Sequence, residues 1–89
     1  MSKPRISFGV LRQLLLDMGF SETVVPKSHV GFRHAATGAE IMLPIYRATD
    51  AVAPRHLLLV RVTLDANGLM DGDTFDEFVE SHSAKQSAS

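Results

Sequence analysis

The segment Lys27-Ser28-His29-Val30-Gly31-Phe32-Arg33-His34 gathers side chains able to move a proton or hold an anion. Its β-branched and aromatic residues favour a strand, in which successive side chains point to opposite faces. Val30 and Phe32 then share one face, and His29, Gly31 and Arg33 share the other. If the apolar pair faces a core, His29 and Arg33 lie on the outer face, at an expected separation of roughly 7 Å. An imidazole titrates near neutral pH and can accept or donate a proton, while a guanidinium can hold a phosphate. That pairing suits RNA phosphate chemistry, and it equally suits a plain solvated strand.

Other candidates surround this pair. Lys27, Arg33 and Arg47 can form a phosphate-contact patch or a solvated cationic surface. Tyr46 can stack a base or pack at a rim against Met42. Ser28 reads as a hydrogen bonder at a strand start rather than a nucleophile, because no acid–base partner is visible beyond its neighbour. His34 falls on the face of Val30 and Phe32, which gives it a structural role near a hairpin end. His56 reads as an end-of-helix contact.

Composition bounds these readings. A chain of 89 residues with 45% hydrophobic and 21% charged residues is one small globular domain, expected over residues 1–80. A formal net charge of −1 gives no global attraction to nucleic acid and leaves only a local basic patch. The absence of cysteine excludes disulfides, thiolate metal sites and cysteine nucleophiles. The histidines at 29, 34, 56 and 82 lack metal-ligand spacing, so neither a metal nor another cofactor is expected. Met1 to Ile6 has no signal-peptide core, and no apolar run approaches membrane-spanning length. The expectation is a cytoplasmic protein.

The elements that must position the candidates follow from periodicity. Phe8, Leu11, Leu14, Leu15 and Met18 recur at helical spacing over residues 8–18, with Ser7 as N-cap and Gly19 at the C-terminal end. Thr23 to Val25 favour a strand that Pro26 ends or places at an edge. Residues 29–34 form a second strand, Ala35 to Gly38 a hairpin turn, and residues 39–46 a third strand. In that third strand Ile41, Leu43 and Ile45 share one face, opposite Glu40, Met42, Pro44 and Tyr46. After a loop from Arg47 to Ala53, Pro54 opens a helix bearing Leu57, Val60 and Leu64, with Gly68 at its end. A strand over 56–64 is the alternative, but alternation fails at Leu57-Leu58-Leu59. Asp71 or Asp73 caps a short last helix carrying Phe75, Phe78 and Val79, a stripe for the core or for a homodimer contact. Residues 81–89 are small and polar and are expected to be a disordered tail.

Met18-Gly19-Phe20, Ser28-His29, Phe32-Arg33-His34, Leu43-Pro44 and Gly68-Leu69 occur in the order and approximate spacing of a known pattern. Over residues 8–69 the chain resembles the HicA-type (YcfA-like) toxin family. That resemblance implies an α+β fold like a double-stranded-RNA-binding domain, α-β-β-β-α, with a three-stranded antiparallel sheet backed by helices and a short C-terminal helix added here. It implies an mRNA-cleaving endoribonuclease that needs no metal, is silenced by a HicB-type antitoxin protein, and uses His29 as catalytic histidine. Lys27, Ser28, Arg33, Tyr46 and Arg47 are then the RNA-binding candidates. A catalytically silent module that binds RNA or protein is the alternative. This chain departs from the family at Lys27, where a glycine is usual, and at Tyr46, where many members have histidine or another polar residue. It also departs in an uncharged run, Leu57 to Val60, where basic residues are usual, and in the acidic stretch Asp71 to Glu80.

Overall fold

A computed structural model describes residues 5–87. Residues 1–4, part of the segment read as lacking a signal sequence, and residues 88–89 of the expected tail lie outside the described residues. The element order is α1 (Phe8–Asp17), β1 (Phe20–Val25), β2 (His29–His34), β3 (Glu40–Pro44), α2 (Pro54–Ala66) and α3 (Gly72–Ser87). The fold is α+β, with the expected α-β-β-β-α order followed by a C-terminal helix. The strands form one antiparallel sheet in the order β1-β2-β3.

Helix α1 starts where Ser7 accepts a hydrogen bond from the Val10 amide at 3.4 Å, as a capping serine does. Two more of its unpaired amides find carbonyls outside the helix. Phe8 N–H donates to Asp50 O at 2.8 Å, and Gly9 N–H donates to Ala48 O at 2.9 Å. The loop after β3 is thereby tied across the start of α1. A Cβ at Gly9 would stand 3.1 Å from Ala48 O, so this close approach favours glycine. The helix ends at Gly19, whose φ of +100° reverses the chain into β1.

Phe8, Leu11 and Leu15 of α1 are buried against Phe20, Val30, Phe32, Ile41 and Leu43 of the sheet. Val60 and Leu64 of α2 and Phe75 and Val79 of α3 complete the core from the same side. Most of the residues expected to face the core therefore do so, Ile45 excepted, and the segment 56–64 is helical. Val60 and Leu64 are fully buried, and Pro54 occupies the first turn of α2. Among the described residues, no helix covers the opposite sheet face.

Four expectations are corrected. β1 begins at Phe20 rather than Thr23, because Phe20 is buried and pairs with His34. β3 ends at Pro44 rather than residue 46, and Ile45 lies at the rim, 47% exposed. The third correction follows from that early end. Tyr46 leaves the outer face and stacks on Phe8, with ring centroids 5.5 Å apart, instead of packing on Met42. Finally, the last helix is not short. It runs for 16 residues, Gly72–Ser87. No glycine or proline interrupts Ser81 to Ser87, and Ala84, Lys85 and Gln86 are good helix formers. His82 also ties into this helix, with Nδ1–H donating to Phe78 O at 2.9 Å and its ring centroid 4.1 Å from that of Phe78.

Candidate functional site

The candidate site is the bare face of the sheet. Three rows of side chains cross it in register: Val25, His29 and Pro44; Thr23, Gly31 and Met42; Ser21, Arg33 and Glu40. Because the middle row has no side chain at its centre, the face is a shallow trough of about 430 Å³. His29 stands at one end and Arg33 at the other.

His29 is positioned by the turn before it. Ser28 N–H donates to Val25 O at 3.0 Å, closing a four-residue turn, Val25-Pro26-Lys27-Ser28. Proline at the second position and a left-handed residue at the third are the pattern of a type II turn. The left-handed residue is Lys27, with a φ of +63°. Glycine adopts that region without penalty, whereas an L-residue with a Cβ pays about 1–2 kcal/mol. The glycine usual here in the family resembled is therefore the conformationally natural residue, and this chain has a cation in its place.

The turn leaves Ser28 Oγ 2.8 Å from His29 Nδ1. With Nδ1–H donating to the serine oxygen, Nε2 holds the ring's lone pair and is available to take a proton. Nε2 has no hydrogen-bond partner among the described residues. The ring is half-buried at the end of the trough, oriented by one partner and open on its other side.

Arg33 is farther from His29 than expected. Two alternations rather than one separate them, and four residues of strand span about 13 Å. The two side chains therefore start from opposite ends of the trough. Arg33 instead pairs loosely with Glu40 across the β2–β3 ladder at 3.7 Å, with both side chains more than two-thirds exposed. An ion pair in that setting is weak and screened by salt. Lys27, two residues before His29, is the nearer cation along the chain.

The remaining candidates divide. Arg47 follows Pro44, the cross-strand partner of His29, by three residues and so leaves the sheet at the His29 end. Its backbone N–H donates to Asp50 Oδ2 at 2.8 Å, and its guanidinium meets Asp50 Oδ1 at 3.3 Å. The bonds from Arg47 hold the Asp50 carboxyl below the ordinary aspartate range.

Tyr46 belongs to a different constellation on the helix side. Its hydroxyl accepts from Ala53 N–H at 2.9 Å and donates to His56 Nδ1 at 2.6 Å, tying β3's exit to the start of α2. Burial, with Arg55 nearby, lowers the His56 pKa from its ordinary value. The structure thus keeps Lys27, Ser28 and His29 together at one end of the sheet, leaves Arg33 at the other, ties Arg47 to Asp50 in the loop after β3, and withdraws Tyr46.

Sequence reading overlooked Gly31 as the trough floor and Thr23 and Met42 as its walls. The hairpin turn at Ala35 to Gly38 was the signal for half of this, since it sets Gly31 opposite Met42. Among the described residues, no three His, Cys, Asp or Glu side chains cluster to hold a metal ion, and no helix is long and apolar enough to cross a membrane. No family model, curated protein or solved structure matches the chain.

Proposed function

We propose that this protein is a HicA-like endoribonuclease, the toxin of a toxin–antitoxin pair, with His29 as its proton-transfer residue. The observation that carries this reading is the His29 ring itself: Nδ1 is engaged by Ser28 at 2.8 Å, and Nε2 opens onto an uncovered sheet face. The motif order described from the sequence supports it, as does the fold that the resemblance implied.

In this reading His29 Nε2 takes the proton of a ribose 2′-hydroxyl, and the 2′-oxygen attacks the adjacent phosphorus. The bond from phosphorus to the 5′-oxygen breaks, and that oxygen leaves with a proton returned from the imidazolium or from water. The products are a 2′,3′-cyclic phosphate and a 5′-hydroxyl. Lys27 supplies positive charge near the phosphorane, while Arg33 serves a phosphate farther along the strand. A HicB-type antitoxin would silence the enzyme by occupying the bare sheet face. The cell compartment proposed is the cytoplasm, where messenger RNA is accessible.

The second reading, a silent binding module, draws on Glu40 opposite Arg33 and on the net charge of −1. Both reduce the pull on phosphates. Induced expression of the wild-type chain and of His29→Ala separates the readings. The nuclease reading expects growth arrest and rapid loss of messenger RNA with the first and neither with the second. Identical growth with both would eliminate it.

A further inference from the structure

Gly31 is at the centre of the middle strand, where glycine weakens a sheet by about 0.5–1 kcal/mol relative to alanine. Nothing among the described residues requires it there. Its φ is not in the left-handed region, unlike those of Gly19, Gly38 and Gly68. A Cβ at this position would meet only Thr23 O, at 3.9 Å, an ordinary contact. The space above Gly31 is open because the residue is glycine, and the fold would accept a side chain there. A glycine that neither backbone nor packing calls for is explained by something outside the chain approaching the strand closely.

The dimensions of that space indicate what approaches. Thr23 and Met42 flank Gly31, one strand spacing away on each side, leaving a window about 10 Å wide between their backbones. Along β2, His29 and Arg33 are each about 7 Å from Gly31. A planar ring of nucleobase size fits flat on the bare peptide between these four residues. Met42 is 59% exposed and offers a polarisable thioether to a π-face. Thr23 offers a hydroxyl that can donate to or accept from a base edge. Lys27 before His29 and Arg33 beyond Gly31 supply cations for the phosphates on either side.

We infer that Gly31, Thr23 and Met42 form a seat for one unpaired nucleobase, which makes single-stranded RNA the substrate class of this face. The inference rests on the nuclease reading above. A duplex conceals its base faces by stacking, so only an unpaired base can lie on the strand. The base in the seat brings its own sugar–phosphate within one residue pair of His29, and the cut falls beside it.

Fluorescence anisotropy on the purified chain tests the seat. The probe is a short 2′-O-methyl oligoribonucleotide, which lacks the reacting hydroxyl, used as a single strand and annealed to its complement. The wild-type protein is expected to bind the single strand at least about tenfold more tightly than the duplex. Gly31→Val is expected to lose about tenfold or more of that affinity, and Gly31→Ala an intermediate amount. Both variants should keep or raise the urea midpoint, because each adds a strand-compatible side chain in open space. If either variant does not fold, the other carries the comparison. A folded variant with wild-type affinity, or a wild-type preference for duplex, overturns the seat. Cleavage that depends on His29 but is indifferent to Gly31→Val defeats the seat alone, whereas wild-type protein that neither binds nor cuts RNA defeats the nuclease reading with it.

Discussion

His29 and His56 each bond a hydroxyl through Nδ1, at opposite sides of one sheet, and their surroundings assign them opposite work. His29 meets Ser28 Oγ at 2.8 Å, on the face without helices. His56 meets Tyr46 Oη at 2.6 Å, on the face that α1 and α2 cover. The serine belongs to a turn at the surface and leaves the other ring nitrogen open to solvent. The tyrosine is itself fixed by Ala53 N–H and by stacking on Phe8, so its bond to His56 closes a structural junction. The comparison teaches that a histidine's partner atom does not define its role. What decides is whether the second nitrogen faces an open surface and whether the partner is anchored in the core.

The largest effects should separate the two histidines by observable. His29→Ala is expected to lower cleavage of a single-stranded oligoribonucleotide by about 10²–10⁴-fold. Its unfolding free energy in urea should stay within about 0.5 kcal/mol of wild type, as for a surface substitution. A His29→Ala protein that cuts normally would reduce His29 to a structural residue like His56.

Tyr46→Phe tests the other side. It keeps the stacking ring on Phe8 and removes the hydroxyl, leaving Ala53 N–H and His56 Nδ1 without their partner. The expected cost is about 1–3 kcal/mol of folding stability, with unchanged RNA affinity per folded molecule. A stability-neutral Tyr46→Phe with weakened RNA binding would return Tyr46 to the base-stacking role that its position after β3 suggested.

The same contrast explains what was legible in the sequence. Helical and strand periodicity placed α1, β2 and α2 because each buries a regular stripe, such as Phe8, Leu11 and Leu15. The turn glycines and Pro54 fall where their backbone preferences predict. Tyr46 was misplaced because alternation is informative only while the ladder continues, and pairing stops at Pro44. The span from His29 to Arg33 needed only the strand rise, about 13 Å for four residues, to be read correctly. The trough was illegible for a different reason. Its second wall depends on the β1–β2 register, and that register is set by a turn whose left-handed residue is a lysine, where the glycine or asparagine that signals such a turn is missing. Helix α3 is longer than its Phe75, Phe78 and Val79 stripe implied, and His82 continues it with a contact on Phe78.

Acid sharpens the comparison further. Burial, followed by the charge of Arg55, lowers the His56 pKa in the folded protein. In addition, a protonated Nδ1 could no longer accept the Tyr46 proton. The unfolded chain therefore binds more protons than the folded one as pH falls below the ordinary histidine value near ~6.5. Stability from neutral His56 is complete above that pH and is lost on acidification through the folded-state value. Urea midpoints taken at about pH 7.5 and about pH 5.5 should differ more for wild type than for His56→Gln, which keeps an acceptor without titrating. Equal differences in the two proteins would show that the Tyr46–His56 junction does not respond to protonation.

The smallest effect is expected at Lys27, and it tests whether the turn before His29 is built for stability or for charge. Lys27→Gly relieves the left-handed strain of about 1–2 kcal/mol, offset by the larger entropy that glycine has in the unfolded chain. The net gain is expected to be about 0.5 kcal/mol. Removing one cation should weaken binding of single-stranded RNA evenly across sequences and reduce the slope of log affinity against log salt by about 0.7, the contribution of one phosphate contact. A stability gain accompanied by that loss would mean the chain retains a strained residue for the positive charge it sets next to His29. A stability gain with an unchanged salt slope would instead separate Lys27 from the phosphate, leaving His29 to work beside a turn whose charge is not used. The two quantities have independent causes, one in φ and the other in counterion release, so measuring both distinguishes a conformational accident from an electrostatic substitution.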